Sequence, residues 1–549
     1  MPGLAALGGY DRSWFRFDLV AGVSVAAVAI PVAIAYSQLA GVPAVYGLYA
    51  SILPLAAYAI FGSSRQLITA PDAATCAIVA TIVIPLAGQD PARYVSLTAA
   101  LAIITGVFCI AAGVARLGFL TNFLARPILT GYLNGIAVCI ISGQLGRLFG
   151  FSLNPAGFFR SMIQFVSKLG QTHGPTLVVG LAFFVLLRLL KRLAPKIPAP
   201  LVAMVLGIAA ASIFRLGEHG VALLGAIPAG LPHLRFPNIG AGDLGPLALG
   251  AMGLALISFN SGMVTARGFA VKNRYEIDSN QEFIALGVAD IGAGLLQGFA
   301  VSGADSRTAV NDSVGGKSQA TGLTAAGLLI LVLLFLTAPL ASLPIAVLAA
   351  VLVNAAIGLF DLRSLVMLRR VSPQEFRLSI ITLLGVITVG VLPGVLVAVG
   401  MAIIQLLRKA SRPHDAVLGR IPGVDGFHDI AGRPEAETFP GLVIYRFDSS
   451  LVFFNADYFK SRVKAVAEEA KTDLRCFVLD AESIPLIDTT GAASLEEVRH
   501  ELADKSVVLA IAGAKGPLRV MLDRTGLTQQ IGSARLFPTL ESALEEVAR

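Results

Sequence analysis

Long apolar runs, separated by proline, glycine and charged residues, dominate the first three quarters of the chain. Runs such as 19–39 and 97–115 reach the roughly 20 apolar residues that a helix needs to cross a bilayer. About fourteen runs of this kind lie between Asp18 and Arg408, and some have only half that length. One such run could be a buried helix of a soluble core, but this number predicts an α-helical, polytopic membrane protein.

The pattern changes after Pro413. Apolar runs shorten to strand length, as at 442–447 and 476–480, and amphipathic helical stretches separate them. That alternation is typical of a small α/β domain. The expected organisation is a transmembrane domain over 1–410, a linker over 411–440 and an α/β domain over 441–549.

Two short segments interrupt the apolar pattern. Residues 70–75 open a helix after Pro71, a residue that the first helical turn tolerates. Residues 298–309 are small and polar, yet they lie between apolar runs. Both segments predict breaks at membrane depth, where irregular backbone must be buried in protein or line a wet cavity.

The two breaks fall in about the third and the tenth span, seven spans apart. A duplicated unit of seven spans would produce this spacing, and its odd number of spans would invert the second copy. In such folds the N-termini of two half-helices face each other near the midplane. Their free N–H groups and dipoles suit an anion, so the sequence predicts a 7+7 inverted repeat with an anion site between its breaks.

Arg307 is the most informative charge in the second break. A guanidinium among apolar spans is costly unless it is paired or functional. It either adds positive charge to the anion site or forms an interfacial ion pair with Asp305 or Asp312. The hydroxyls of Ser306 and Thr308 either donate hydrogen bonds to an oxyanion or cap the helix.

Composition and charge agree with a membrane domain and place its ends. The chain is 55% hydrophobic and 14% charged, with a mean hydropathy of +0.76. Residues 411–549 carry 16 Lys+Arg against 21 Asp+Glu, and the 26 against 14 that remain give residues 1–410 a net charge of +12. Arg408, Lys409 and Arg412 follow the last span, which places that end in the cytoplasm. An even number of spans then puts both termini in the cytoplasm.

Several classes of site are absent from the sequence pattern. The four cysteines are far apart and lack metal-ligand spacing, so we interpret them as packing residues. No catalytic triad, nucleotide-binding loop or nucleic-acid motif is present. We therefore expect a protein that is not an enzyme and binds no cofactor, metal or nucleic acid. We also expect it to reside in the inner (plasma) membrane.

Particular motifs resemble those of the SulP family of sulfate permease-like anion transporters. The run AVYGLYAS at 44–51, with Tyr58 and GSSR at 62–65, is similar to the signature of that family. Residues 29–37 resemble its first span and residues 305–319 its tenth. The resemblance covers nearly the whole chain.

The C-terminal region resembles the STAS domain that SulP proteins carry. The similarity lies in YRF at 445–447, FFNAD at 453–457 and IDTTG at 487–491. STAS domains are similar to anti-sigma-factor antagonists, in which a hydroxyl of the corresponding loop is phosphorylated. The resemblance therefore makes Thr490 a candidate regulatory residue, although a threonine before glycine also suits a simple turn.

The resemblance implies secondary active transport by a homodimer with core and gate domains and an elevator-like movement. It also implies that the substrate lies between half-helices three and ten. The candidate binding residues are Val32, Tyr36, Ala70, Pro71, Asp72, Ala73, Ala74, Thr75, Gly303, Ala304, Asp305, Ser306, Arg307 and Thr308.

Two departures from the family pattern affect selectivity and coupling. Val32 stands where many relatives have glutamine, which removes a hydrogen-bond donor from the expected pocket. Ser261 stands where many have a coupling carboxylate, with Thr265 one turn further on. A neutral serine cannot take up a proton, and a Na⁺ site without a carboxylate is weak. Asp72 is then the best candidate for H⁺ coupling, although Asp72 and Asp305 also suit helix capping.

Several functions remain open on the sequence alone. Sulfate is the leading substrate, and bicarbonate or a C4-dicarboxylate are the alternatives. An anion channel, or a signalling protein that the spans anchor in the bilayer, belongs to a different class. A mere anchor does not need broken helices at repeat-related positions, which ranks the signalling function last.

Overall fold

The computed structural model describes residues 2–88, 90–119, 126–153, 158–194, 198–433, 435–470 and 474–547. These residues form two compact units, Met1–Met401 and Ala402–Arg549. The first unit is almost entirely helical, and the second combines a β-sheet with helices.

The first unit contains helices α1 to α17, the first half of α18 and two short strands. Fourteen described helices occupy the positions of the predicted spans: α2–α6, α8–α13, α15, α17 and α18. The elements are α1 (Pro2–Gly8), α2 (Phe15–Leu39), α3 (Ala44–Phe61), β1 (Thr69–Ala70), α4 (Ala73–Ala87), α5 (Pro91–Val114), α6 (Arg126–Phe149), α7 (Phe158–Ser167), α8 (Gly174–Leu193), α9 (Ala199–Ile213), α10 (Ala241–Asn273), α11 (Ser279–Leu295), β2 (Ser302–Gly303), α12 (Asp305–Val314), α13 (Ala320–Phe335), α14 (Thr337–Leu340), α15 (Ile345–Leu359), α16 (Leu362–Val371), α17 (Pro373–Thr388) and α18 (Val391–Ser411).

Helix lengths in this unit are uneven, as the sequence predicted. Among the described residues, six helical segments are long and apolar enough to cross a membrane. Helices α4, α9 and α13 are apolar but shorter. Both half-length helices of the predicted site, α4 and α12, begin directly after a short extended segment.

The helix packing follows the inverted repeat. Equivalent pairs of helices are in contact in the two repeats. The contact of α2 with α13 corresponds to that of α10 with α5, and the contact of α3 with α13 corresponds to that of α11 with α5. The contact of α6 with α17 corresponds to that of α15 with α8. The first four and the eighth to eleventh spans therefore form a core domain, and the remaining spans form a gate domain. Small residues permit the closest crossings. A Cβ on Gly106 of α5 would lie 2.4 Å from the carbonyl oxygen of Gly287 on α11.

The second unit is a six-stranded sheet with helices on both faces. Strands β5 to β8 are parallel, β3 is antiparallel to β5, and the strand order is β4-β3-β5-β6-β7-β8. Helices α19 to α22 cover one face and α23 covers the other. The elements are β3 (Asp415–Gly419), β4 (His428–Asp429), β5 (Leu442–Phe447), α19 (Ala456–Glu469), β6 (Cys476–Asp480), α20 (Thr489–Asp504), β7 (Val508–Ala512), α21 (Gly516–Arg524), α22 (Leu527–Ile531), β8 (Leu536–Phe537) and α23 (Leu540–Val547).

The segment expected to be a linker, residues 411–440, differs from that expectation. It contributes β3 and β4 to the sheet, and β3 is hydrogen-bonded along β5 from Asp415 to Leu418. The alternation of Ala416 and Leu418 as buried residues is too short to stand out in the sequence. The sheet therefore begins earlier than the apolar runs indicate.

Candidate functional site

A two-stranded ribbon joins the two breaks of the repeat. Thr69 of β1 is the register partner of Gly303 in β2, and Ala70 is the partner of Ser302. Beyond the ribbon, the N–H of Ala304 donates to the carbonyl of Ile68 at 2.8 Å. Each strand leads into a half-helix, so the ribbon brings the starts of α4 and α12 together.

The start of α4 follows from its sequence. Asp72 is the N-cap, and its carboxylate accepts the N–H of Ala74 at 3.3 Å. Pro71 precedes this cap and has no N–H to leave unpaired. Thr75 lies in the first turn, and its buried hydroxyl has no hydrogen-bond partner among the described residues.

The start of α12 has no side-chain cap. Its N-cap residue is Ala304, so the first-turn N–H groups have no side-chain acceptor at that position. Thr308 is buried, and its hydroxyl accepts the N–H of Ile68 at 3.0 Å. Asp305 and Ser306 are exposed. The hydrogen bond of Thr308 therefore connects α12 to the segment before β1. The N–H groups at the N-terminus of α12 remain available to another acceptor.

Arg307 is the central charge of this region. Its side chain is among the largest that are fully buried, and its Nη2 donates to the carbonyl oxygen of Pro71. The guanidinium lies 5.9 Å from the centroid of the Tyr36 ring. Its Nε has no hydrogen-bond partner, and no described carboxylate lies within ion-pair distance of it.

The interfacial ion pair considered for Arg307 is therefore not formed. Asp312 instead accepts hydrogen bonds from Lys272 and Asn273. Asp305 accepts a hydrogen bond from the hydroxyl of Thr265. A buried guanidinium that forms no ion pair among the described residues is costly, and an external anion would lower that cost.

Helix α10 lies directly against β2. A Cβ on Gly303 would lie 2.6 Å from the Cα of Gly262, so only glycines permit this approach. The contact brings Thr265 to Asp305, and the same hydroxyl of Thr265 lies 3.1 Å from the carbonyl oxygen of Ser261. The predicted pair Ser261 and Thr265 therefore stands beside the first turn of α12.

The remaining predicted residues occupy the surrounding walls. Tyr36 and Val32 are buried and lie one turn apart on α2. Ala73 and Ala74 are buried in the first turn of α4. Thr490, in the second unit, is the exposed second residue of α20, whose N-cap Asp488 accepts the N–H of Gly491 at 2.7 Å.

Two further buried polar residues of the first unit have atoms without partners and were not among the sequence-based candidates. Asp290 of α11 accepts the N–H of Val301, just before β2, at 2.7 Å, and its second carboxylate oxygen has no partner among the described residues. Tyr132 of α6 is 1% exposed and its hydroxyl is likewise unpaired. An acid inside an apolar run is a detectable signal. A tyrosine in such a run is not.

Comparisons with known protein families match both units. The sulfate permease family matches residues 15–382, and the STAS domain matches residues 433–543. A probable sulfate transporter of Mycobacterium tuberculosis is 41% identical over 548 residues, which cover 100% of this chain and 98% of that protein. The chloroplastic sulfate transporter 4.1 of Arabidopsis thaliana is 31% identical, with 97% of this chain and 80% of that protein covered.

Solved structures share the fold. The murine Solute Carrier 26 family member A9 anion transporter, in its inward-facing state, superposes with a TM-score of 0.92 at 23% identity, covering 99% of this chain and 93% of that one. The transmembrane domain of a cyanobacterial bicarbonate transporter, BicA, gives a TM-score of 0.64 at 24% identity, covering 72% and 98%. With the family match over two thirds of the chain, these findings establish that the protein belongs to the sulfate permease family of multi-pass membrane anion transporters and carries a C-terminal STAS domain.

Proposed function

We propose that this protein is a secondary active transporter of a small inorganic oxyanion, with sulfate as the leading substrate. Relatives that align along nearly its whole length are named as sulfate transporters. The proposed site is the gap between the N-termini of α4 and α12, and the transport domain comprises residues 1–410. The movement is elevator-like, in a homodimer of the plasma membrane with both termini in the cytoplasm.

The observation that carries this proposal is Arg307, which is buried near the starts of two half-helices and forms no ion pair among the described residues. The guanidinium provides a full positive charge, and the first turns of α4 and α12 add N–H groups and partial positive charge. The hydroxyl of Thr75 and the Nε of Arg307 are buried without partners. These groups can replace the hydration shell of an anion that leaves water.

Coupling requires a group that can carry a proton. Ser261 cannot do so, and Thr265 is occupied by its hydrogen bond to Asp305. Asp72 caps α4 with one hydrogen bond and lies beside the proposed anion, so we assign H⁺ coupling to Asp72. We do not assign Na⁺ coupling to Ser261, because a Na⁺ site without a carboxylate is weak. Protonation of Asp72 would remove negative charge next to the bound anion.

Uptake of labelled sulfate, bicarbonate and succinate into proteoliposomes, with and without a pH gradient, tests the proposal. We expect the wild type to take up sulfate and Arg307→Ala to abolish this uptake. The variant should keep the size-exclusion elution volume and the thermal unfolding temperature of the wild type. Arg93→Ala is the matched control, because Arg93 forms an exposed ion pair with Asp243. Unchanged sulfate uptake by Arg307→Ala would refute the assigned role.

The same preparation separates the alternatives. If bicarbonate or succinate is taken up in preference to sulfate, that anion is the substrate. The protein would still be a secondary active transporter. Electrical recordings distinguish a channel, because its unitary flux is far larger than that of an alternating-access cycle. Absence of any anion flux in both assays would leave only a membrane-anchored signalling protein.

A further inference from the structure

Asp290 is a buried acid of α11 to which the proposed anion site assigns no role. The residue is 0% exposed, and one oxygen of its carboxylate accepts the N–H of Val301 at 2.7 Å. The other oxygen has no hydrogen-bond partner among the described residues. Burying a carboxyl group with one donor is costly, because that donor replaces only part of its hydration. An apolar side chain would avoid this cost but could not accept the N–H of Val301.

Val301 is the last residue before β2, so its hydrogen bond holds the strand at its start. The N–H of Ala304, on the other side of β2, donates to the carbonyl of Ile68 beside β1 at 2.8 Å. N–H groups of an extended strand point alternately to its two edges. The strand is thus held by β1 at one edge and by Asp290 at the other. The described residues form only two strands here, and at membrane depth an edge N–H needs an acceptor from the protein.

The same helix also holds the segment before β1. Glu282, about two turns earlier on α11, accepts the N–H groups of Ser63 and Ser64 at 2.8 and 3.2 Å. Residues eight positions apart lie about 80° from each other around a helix axis, within one face. One face of α11 therefore carries two buried acids, and each accepts backbone N–H groups that precede one strand of the ribbon.

Helix α11 is itself fixed by close crossings with two other helices of the core domain. A Cβ on Gly294 would lie 2.6 Å from the carbonyl oxygen of Ala99 on α5, and a Cβ on Gly292 would lie 3.1 Å from the Cβ of Leu53 on α3. Packing this close leaves little space in which α11 could shift. The carboxylates that α11 presents to the ribbon therefore have fixed positions.

The hydrogen bond of Val301 acts close to the central charge of the site. Arg307 follows Val301 by six positions, and β2 and the first turn of α12 lie between them. Within this stretch the hydroxyl of Ser302 donates to the carbonyl of Ser258 on α10 at 2.7 Å. A displacement of Val301 would move β2, and the start of α12 would move with it.

We propose that Asp290 is a positioning residue of the anion site, which fixes Val301 and thereby the start of α12 relative to α4. This inference rests on the proposed function and deepens it, because it identifies what holds Arg307 in place for the anion. The role requires an acceptor oxygen and no proton on Asp290. It therefore differs from the proton-carrying role assigned to Asp72.

Asp290→Leu and Asp290→Asn in the full-length protein test the inference by sulfate uptake into proteoliposomes over a range of sulfate concentrations. Leucine removes the acceptor, so the KM for sulfate should rise about tenfold or more because the donors of the site are misaligned. Asparagine keeps an acceptor oxygen and carries no proton. Its KM and its response to a pH gradient should stay within about threefold of the wild type.

A disulfide across the ribbon provides a readout that does not need transport. Ala70 and Ser302 are register partners, so Ala70→Cys with Ser302→Cys should form a disulfide on oxidation, in a background whose native cysteines are replaced by alanine. Adding Asp290→Leu should slow this reaction about fivefold or more, because β2 is no longer held at its outer edge. Adding Asp290→Asn should change the rate by less than about twofold.

Thr105→Val is the matched control. Thr105 is buried on α5, and its hydroxyl donates to the carbonyl of Leu101 in the same helix at 2.7 Å. The variant loses a buried hydrogen bond that does not reach the ribbon. Its stability should fall, while its KM for sulfate and the rate of disulfide formation should stay within about twofold.

Three results would overturn the inference. The first is a normal KM together with a normal rate of disulfide formation in Asp290→Leu. The second is loss of gradient-driven uptake in Asp290→Asn with uptake at equal pH preserved, which would make Asp290 a proton carrier. If Asp290→Leu does not fold, the smaller Asp290→Ala replaces it, and failure of both to fold would make the hydrogen bond structural.

Failure of the proposed function has a different signature. If the wild type transports no sulfate, or Arg307→Ala transports normally, the assigned transport site is wrong. The rate of disulfide formation would still show whether Asp290 positions the ribbon.

Discussion

At the scale of single residues, the proposed site contains buried polar atoms that have no hydrogen-bond partner among the described residues. Most buried polar groups in folded proteins are hydrogen-bonded, so unpaired ones indicate a missing partner. Among the described residues, Arg307 makes one hydrogen bond, to a carbonyl oxygen that carries only partial charge. Neither Asp305, which is bonded to Thr265, nor Asp312, which is bonded to Lys272, forms an ion pair with its guanidinium.

Asp72 provides the residue-scale prediction on coupling. Asp72→Asn keeps the size of the side chain and an oxygen that can accept the N–H of Ala74, but it cannot carry a proton. Sulfate uptake driven by a pH gradient should fall about tenfold or more, while sulfate exchange at equal pH should stay within about threefold. The measurement compares both modes in the same proteoliposomes.

Asp90→Asn controls for the loss of a capping carboxylate. Asp90 is the exposed N-cap of α5 and accepts the N–H groups of Ala92 and Arg93. Its replacement should leave the response to the pH gradient intact. If gradient-driven uptake survives in Asp72→Asn, another group carries the proton, and the buried Asp290 becomes the next candidate.

Some of these residues could be predicted from the sequence, and others could not. The breaks at Asp72 and Arg307 are visible because proline, charge and small polar residues interrupt apolar runs. Asp290 carries the same signal, because it is an acid inside an apolar run. Tyr132 lies among apolar neighbours, and only the packed structure shows that its hydroxyl is unpaired.

At the scale of elements, the loops next to the broken helices are held by two buried carboxylates. Glu282 of α11 accepts hydrogen bonds from the hydroxyl of Tyr58 and from the N–H groups of Ser63 and Ser64. Asp18 of α2 holds the loop after α12 through the N–H groups of Lys317 and Ser318. The side-chain amide of Gln319 then links the two loops through the carbonyls of Ser64 and Leu67.

These hydrogen bonds fix the orientation of the ribbon that precedes α4 and α12. Each carboxylate gains several donors, which offsets the cost of burying it. The two half-helices are visible in the sequence but these anchors are not, because their partners lie about 220 to 300 positions away in the chain. Strand β3 was missed for a related reason, since pairing with β5 defines it more than its own pattern does.

The contact of the ribbon with α10 gives the element-scale prediction. In Gly303→Ala the new Cβ would lie 2.6 Å from the Cα of Gly262, so the ribbon and α10 must move apart. We expect a loss of stability of roughly 1–3 kcal/mol and a larger loss of transport, because the first turn of α12 shifts with β2. Thermal unfolding and sulfate uptake measure the two effects.

Gly327→Ala, in α13, is the control for this substitution. A Cβ there meets no heavy atom within 4 Å, so alanine should be tolerated or slightly stabilising in the helix. Normal transport by Gly303→Ala would show that the close approach of β2 and α10 is not needed for the geometry of the site.

At the scale of the whole molecule, the inverted repeat explains why the site has two similar halves. Each repeat contributes one strand of the ribbon and one half-helix, and the antiparallel pairing of β1 with β2 joins them within the core domain. The gate domain includes α6, which packs on α4. If transport is elevator-like, the ribbon moves as part of one body, and the contacts that change are those between core and gate.

Two pairs of cysteines test this movement in opposite directions. Ala70 and Ser302 are antiparallel register partners, and such partners lie within the Cα separation that a disulfide spans. Oxidation of Ala70→Cys with Ser302→Cys should leave at least about half of the sulfate uptake seen after reduction, because both residues lie in the core domain. The native cysteines to be replaced by alanine in this background are Cys76, Cys109, Cys139 and Cys476.

The second pair joins core to gate. Gln38 lies near the end of α2, and its side-chain oxygen is 3.3 Å from the guanidinium of Arg147 on α6. A short thiol-reactive cross-linker between Gln38→Cys and Arg147→Cys should abolish uptake, whereas each single variant treated with the same reagent should retain it. Inhibition by the Ala70–Ser302 disulfide together with free transport by the cross-linked second pair would exclude an elevator. The two half-helices would then have to separate from each other during each cycle, and an anion held between their N-termini would be released by that separation.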